Sequence, residues 1–228
     1  MVGLAWHQSL FAGKMPLSAG VGQKGDGMGR LVLVRHGESA GNVTRVFTTT
    51  PLTLPLTELG RKQARAVAAA ILGISNPRIV VASQYLRARD TGAIIAQELK
   101  LPFEVREGLH ERETGEFAGR PYESIFEADG YDHTRPWTWV PPGGESYEHV
   151  RDRVGPILDE LVARFADDDV IVVSHGGVMV AMWAYMTGRW EDAHVPPNCG
   201  IVLVEHRGGK FLAPRIIGAQ QSPRHAGG

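Results

Sequence analysis

The chain has 228 residues, 43% of them apolar, with a formal net charge of −1 and a pI near 6.8. That is enough apolar matter for one sizeable core, and the balanced charge excludes an overall basic field for nucleic acid or an anionic membrane. Any anionic ligand must therefore be captured locally. The single cysteine, Cys199, cannot close an internal disulfide, which points to a cytoplasmic protein with Cys199 as a small buried strand residue.

Residues 1–29 contain seven glycines and no apolar periodicity, and read as a disordered or non-native leader with Met28 as an alternative start. The leader lacks a basic n-region, and no apolar run in the chain is long enough to span a membrane. The β-branched run Leu31–Val34 predicts a strand buried on both faces. A Thr57 cap opens a helix to Leu72 that places Leu59, Val67, Ala70 and Ile71 on one face, with Gly73 closing it. Ile79–Ala82 is a second buried strand, and Leu86–Leu99 a second helix.

The segment 115–144 is rich in proline, glycine and aromatics, with a weak helix at Tyr122–Ala128, and is expected to cap the site. Its tryptophans could equally form a local core. A long amphipathic helix follows over Glu145–Phe165, with a possible kink at Pro156. Val170–Val173 is the third buried strand, and Gly177–Met186 the next helix. Ile201–Glu205 and Phe211–Ile217 form a hairpin through Arg207, Gly208 and Gly209, and residues 219–228 form a flexible tail. The order predicts a three-layer α/β/α domain over 30–218, with a mostly parallel sheet, one antiparallel edge strand and a small cap.

Ligands of open α/β sheets bind at the carboxyl ends of the strands. The first strand ends in Arg35-His36-Gly37-Glu38-Ser39, the second in Ser83 with Arg87 close behind, and the third in Ser174-His175-Gly176-Gly177. Two arginines, two histidines and glycine-exposed amides thus converge on one crevice. Such a pocket is costly unless an anion fills it. Of the other histidines, none shows metal-ligand spacing, and no glycine pair belongs to a nucleotide-binding loop, so no metal or cofactor is expected. His133 and Arg135 are candidates to line the cap, although an ordinary surface role fits them as well.

The segment Leu33–Ser39 followed by Asn42 resembles the opening motif of the phosphoglycerate-mutase-like histidine phosphatase superfamily. Pro55–Ala64, Ser83–Ala88 with Thr91, Leu109-His110-Glu111 with Gly115 and Gly119, Pro142–Ser146 and Val173–Gly177 are similar, in order, to its further motifs. The resemblance covers nearly everything from Arg30 to Ile217, and lies closer to the branch 1 phosphatases than to the true mutases.

It implies that His36 is the nucleophile that takes a phosphoryl group, with Arg35, Arg87, Asn42, His175 and the Gly176 backbone holding the phosphoryl oxygens. Glu111 is implied as the acid and base, with Glu113 and Glu116 as rivals for that role. Thr48 falls where related enzymes contact the rest of the substrate, but Thr49 replaces a glycine common there, and the acidic residue often preceding Pro-Leu-Thr is absent. The implied activity is hydrolysis of a small phosphorylated metabolite through phosphohistidine, without metal. Mutases of the family carry a longer insert with paired arginines after the acid/base loop, and none lies between Glu111 and His175. A phosphoglycerate mutase and an inactive phospho-ligand binder remain as alternatives, and the oligomeric state is open.

Overall fold

The computed structural model describes residues 27–217. The expected leader and the 219–228 tail lie outside them, except that Met28 and Gly29 belong to the first strand. In chain order the elements are β1 (Met28–Arg35), α1 (Ala40–Thr44), α2 (Glu58–Leu72), β2 (Pro77–Ser83), α3 (Leu86–Leu99), β3 (Phe103–Arg106), α4 (Tyr147–Arg164), β4 (Asp169–Ser174), α5 (Gly176–Thr187), β5 (Ile201–Arg207), β6 (Lys210–Phe211) and β7 (Arg215–Ile217).

The strands form one seven-stranded sheet in the order β3-β2-β4-β1-β5-β6, with β7 also paired to β5. The first four strands are mutually parallel, whereas β5 runs antiparallel to β1, and β6 and β7 antiparallel to β5. The antiparallel part is thus wider than a single edge strand. The expected strand Phe211–Ile217 is divided at Leu212–Pro214, where Pro214 has no amide for a ladder. Gly208 (φ 55°) and Gly209 (φ 80°) make the two-residue β5–β6 turn, whose positive φ values suit strand twist.

Alternation along each strand divides the core in two. Leu31, Leu33, Val170 and Val172 face α4 and α5, while Val32, Val34, Ile171 and Val173 face α2 and α3. Right-handed crossovers explain the division. The moves β1→β2 and β2→β3 run in one direction across the sheet and put α2 and α3 on one face; the move β3→β4 runs back and puts α4 on the other. The connections leaving adjacent β1 and β4 consequently depart to opposite faces. This opens a crevice at their carboxyl ends.

Thr57 caps α2 by accepting a hydrogen bond from the Gly60 amide at 3.0 Å, and Ser146 caps α4 in the same way from His149 at 3.0 Å. The buried face of α2 includes Val67 and Ile71 as expected, but its other members are Ala64 and Ala68, while Leu59 is 51% exposed and Ala70 faces outward. Apolar spacing failed there because an alanine-rich helix offers several candidate stripes. Helix α4 continues through Pro156, and α5 is apolar all round because it packs between the sheet, α4 and the site. Cys199 is not in a strand but in the turn before β5, at φ 55°.

Candidate active site

The register aligns Arg35 of β1 with Ser174 of β4, so the residues that follow, His36 and His175, emerge side by side. Their rings are 5.2 Å apart at a 60° tilt. The amide of His36 donates to Ser174 O at 2.9 Å, which extends the ladder by one bond and holds the backbone beneath the imidazole. Gly37 follows because its amide donates to Thr91 Oγ1 at 3.0 Å, and because a Cβ there would lie 2.5 Å from the carbonyl oxygen of Gly60.

The hydrogen bonds of His36 define its tautomer. Nδ1 lies 2.7 Å from the Gly37 carbonyl, which can only accept, so Nδ1 bears the proton. Nε2 keeps its lone pair and accepts from Arg87 Nε at 3.1 Å. Arg87 is buried in the first turn of α3, and its Nη1 donates to Pro51 O at 3.1 Å. Arg35 is anchored by Nη1 to Pro196 O at 2.8 Å, while its buried Nε has no partner among the described residues. His175 Nε2 lies 2.9 Å from Ser83 Oγ at the end of β2, and its Nδ1 is also buried without a partner among the described residues.

Asn42 stands in α1 with Oδ1 accepting from the Ser39 amide and hydroxyl, each at 3.0 Å, and from Asn198 Nδ2 at 3.2 Å. Its own amide nitrogen is thereby turned outward from the anchoring side. Asn198 also donates to His36 O at 3.0 Å. The half-buried Glu111 receives the Arg112 amide at 2.9 Å and the Gly177 amide at 3.3 Å, so its carboxylate sits on the first turn of α5. A Cβ on Gly177 would come within 2.7 Å of Glu111 Oε1, so a larger residue there would displace that carboxylate.

These residues share one cavity of about 550 Å³. Arg35, His36, Asn42, Arg87, Glu111 and Gly176 line it, with His175 packed behind His36. Thr48 reaches the wall, although its hydroxyl accepts from the Thr50 amide at 3.0 Å. Tyr122, Ile125 and Phe126 of the 115–144 segment close the cavity from above. In that segment Trp139 is buried against Phe117 and Tyr131, and Trp137 stacks on Trp190. His133 lines a second cavity of about 430 Å³ under the same segment, and Arg135 lines neither. Glu113 is exposed on the rim and Glu116 lies outside the cavity. Among the described residues no group of three or more His, Cys, Asp or Glu could hold a metal ion.

Burial is the largest influence on both histidines. It pushes His36 well below the ordinary histidine value, Arg87 and Arg35 push the same way, and the Gly37 carbonyl opposes them. His175 is likewise well below, from burial and then Arg87 and His36. The buried His206 of β5 is lowered by burial, against the pull of Asp169 and Asp167. Both imidazoles at the site are therefore neutral near pH 7.

A stability consequence follows from these shifts. Below about pH 6.5 the unfolded chain takes up protons that the folded histidines refuse, so stability is full above that value and is lost as the pH falls. We expect the melting temperature to drop between about pH 6.5 and 5, and inorganic phosphate to offset the drop. Calorimetry showing a level or rising melting temperature over that interval contradicts it.

A sequence model of the histidine phosphatase superfamily (branch 1) matches residues 31–216. The chain belongs to that superfamily. It is 36% identical over 167 residues to the glucosyl-3-phosphoglycerate phosphatase of Mycobacterium tuberculosis, covering 68% of this chain and 74% of that protein. The metal-independent phosphoserine phosphatase of Arabidopsis thaliana is 32% identical over 189 residues, covering 80% and 78%. The native structure of the mycobacterial glucosyl-3-phosphoglycerate phosphatase superposes with a TM-score of 0.70 at 30% identity, covering 83% of this chain and 97% of that one. A 2,3-bisphosphoglycerate-dependent phosphoglycerate mutase of Rhizobium etli also matches, over 67% of this chain and 77% of its own.

Four residues of the histidine phosphatase site were not visible in sequence. Ser83 opens one of the motifs but its bond to His175 has no sequence signal, and Asn198, Arg112 and Tyr147 belong to no motif. Asn198 reaches His36 across 162 positions of chain, and only the β1–β5 pairing brings it there.

Proposed function

We propose that this histidine phosphatase hydrolyses a small phosphomonoester through a phosphohistidine formed on His36, without a metal or other cofactor. The observation that carries the reading is the disposition of His36: Nε2 holds a lone pair on a neutral imidazole, at the wall of a cavity that the buried guanidinium groups of Arg35 and Arg87 also line, with Arg35 Nε left without a partner among the described residues. Neutral nitrogen is the nucleophilic form, and preset cationic donors stabilise the charge that gathers on the transferred group.

In the first step Nε2 attacks phosphorus as the P–O bond to the leaving group breaks, and a protonated Glu111 supplies the proton to the departing oxygen. In the second step water attacks the phosphohistidine, its proton passes to the Glu111 carboxylate, and the P–N bond returns its electrons to His36. Arg35, Arg87, the Asn42 amide and His175 Nδ1 hold the three equatorial oxygens, with the Gly176 amide at the opening of α5. A Ser83 hydroxyl donating to His175 Nε2 sets the proton on Nδ1. The single cysteine accords with a cytoplasmic setting, and no helix among the described residues is long and apolar enough to cross a membrane.

Release of p-nitrophenol and phosphate from p-nitrophenyl phosphate, unchanged by excess EDTA, tests the reading. An acid-quenched reaction should retain an acid-labile, alkali-stable phosphoryl label on the protein, and orthovanadate should inhibit. Isomerisation of phosphoglycerate without phosphate release would favour the mutase instead. A folded protein inert towards phosphomonoesters between about pH 5 and 8 would favour a binder.

Glu111→Gln keeps the shape but cannot shuttle a proton. Its kcat should fall by roughly 10²- to 10⁴-fold for alkyl phosphates, whose leaving oxygen needs protonation, and much less in the phosphorylation step for p-nitrophenyl phosphate. An equal, small loss with both substrates would move the role to Glu113.

A further inference from the structure

Arg112 is the one site arginine that the chemistry above leaves unused. It is 7% exposed, and its guanidinium lies over the Tyr147 ring at 4.4 Å. Among the described residues its guanidinium makes one hydrogen bond, a long one of 3.4 Å from Nη1 to Glu145 O. Among the described residues no carboxylate pairs with it: Glu145 is committed to Arg153, through contacts of 2.8 and 3.1 Å, and Glu111 is held by the Arg112 and Gly177 amides. A guanidinium withdrawn this far from water and left without a counter-ion is expensive to fold. Yet Arg112 lines both the catalytic cavity and the adjoining aromatic one, so its open donors face space that a substrate could occupy.

On the basis of the proposed phosphatase reaction, we infer that Arg112 and Tyr147 form a second anion subsite, which selects phosphomonoesters whose leaving group carries a carboxylate or a second phosphoryl group. The planar guanidinium presents paired N–H groups matched to either oxyanion, and the Tyr147 face holds that plane in place. The position is suited to this because Arg112 directly follows Glu111, which the reaction places beside the leaving oxygen. An anion a few bonds from that oxygen would reach Arg112 while the phosphoryl group occupies the Arg35–Arg87 clamp. The phosphoryl clamp takes the reacting group, and Arg112 reads what it is attached to.

Two matched pairs test the subsite. 3-Phosphoglycerate and glycerol 3-phosphate differ by a carboxylate against a hydroxymethyl group, and fructose 1,6-bisphosphate and fructose 6-phosphate differ by one phosphoryl group. The wild type should prefer the doubly anionic member of at least one pair by roughly tenfold to a hundredfold in kcat/KM, which tells the two oxyanions apart. Arg112→Met should collapse that ratio towards unity, mainly through KM, and Arg112→Lys should keep part of it. A residue with only a structural role would lower both members of a pair together and leave the ratio unchanged, which overturns the proposal.

Absence of any preference in the wild type overturns it as well, even if the methionine variant does not fold. Hydrolysis of p-nitrophenyl phosphate by the same preparation separates the two failures. Activity there with no preference sinks the subsite alone, whereas inactivity towards all five substrates sinks the phosphatase reading and the subsite with it.

Discussion

Replacing His36 with alanine is expected to lower the turnover of p-nitrophenyl phosphate by about 10⁴-fold or more, since the covalent route disappears and only a bound, oriented ester remains. The fold should survive. His36 is buried, but its backbone bonds to Ser174 and Cys199 do not involve the ring, and the vacated volume borders an open cavity. Circular dichroism and a melting curve check the fold, and a labelled-phosphate quench checks the intermediate. Retention of more than a hundredth of the wild-type rate, or of the protein-bound label, would remove His36 from the proposed role.

Arg87→Ala should cost roughly 10³-fold in kcat/KM, with the loss concentrated in kcat, because the guanidinium is placed to meet charge that grows in the transition state. Lysine should recover little of it. Arg87 uses two separate nitrogens at once, Nε to His36 and Nη1 to Pro51 O, and the one nitrogen of an ammonium cannot occupy both positions. The alanine variant also loses the strongest charge that disfavours protonation of His36, so the His36 midpoint, followed by NMR of the imidazole, should move up towards the ordinary value. A loss below tenfold, or a midpoint that stays in place, would show that the clamp is built from other groups.

The parts of the fold that sequence revealed are those where burial acts on every residue of an element. Strands β1, β2 and β4 are covered on both faces, so their apolar runs are uninterrupted and easy to recognise. Strand β3 was missed because it lies at the sheet edge with alternate residues exposed, and Glu104 and Arg106 make it resemble a surface loop. Helix α1 is five residues long and contains Gly41 and Asn42, too short for periodicity to register. The overlying segment forms 3-10 helices of only three and six residues at Gly115–Phe117 and Tyr122–Glu127, whose aromatics give no repeating pattern.

At the site the same distinction holds. His36, Arg87 and His175 were legible because they lie on or just beyond strand ends, where topology alone gathers residues distant in sequence. Arg112 was not, since a buried arginine looks like any other until the absence of a carboxylate around it is seen. Thr48 was legible only through the likeness, and it lines the cavity with its hydroxyl oxygen accepting from the Thr50 amide.

The spacing of the two site imidazoles is inherited from neighbouring rungs of a parallel ladder, not negotiated by the loops that surround them. Variation in the roof can therefore redraw which molecules are admitted while the distance between His36 and His175 stays put. A lineage that starts from such a scaffold can change diet by editing its surface excursions, and leave its chemistry untouched.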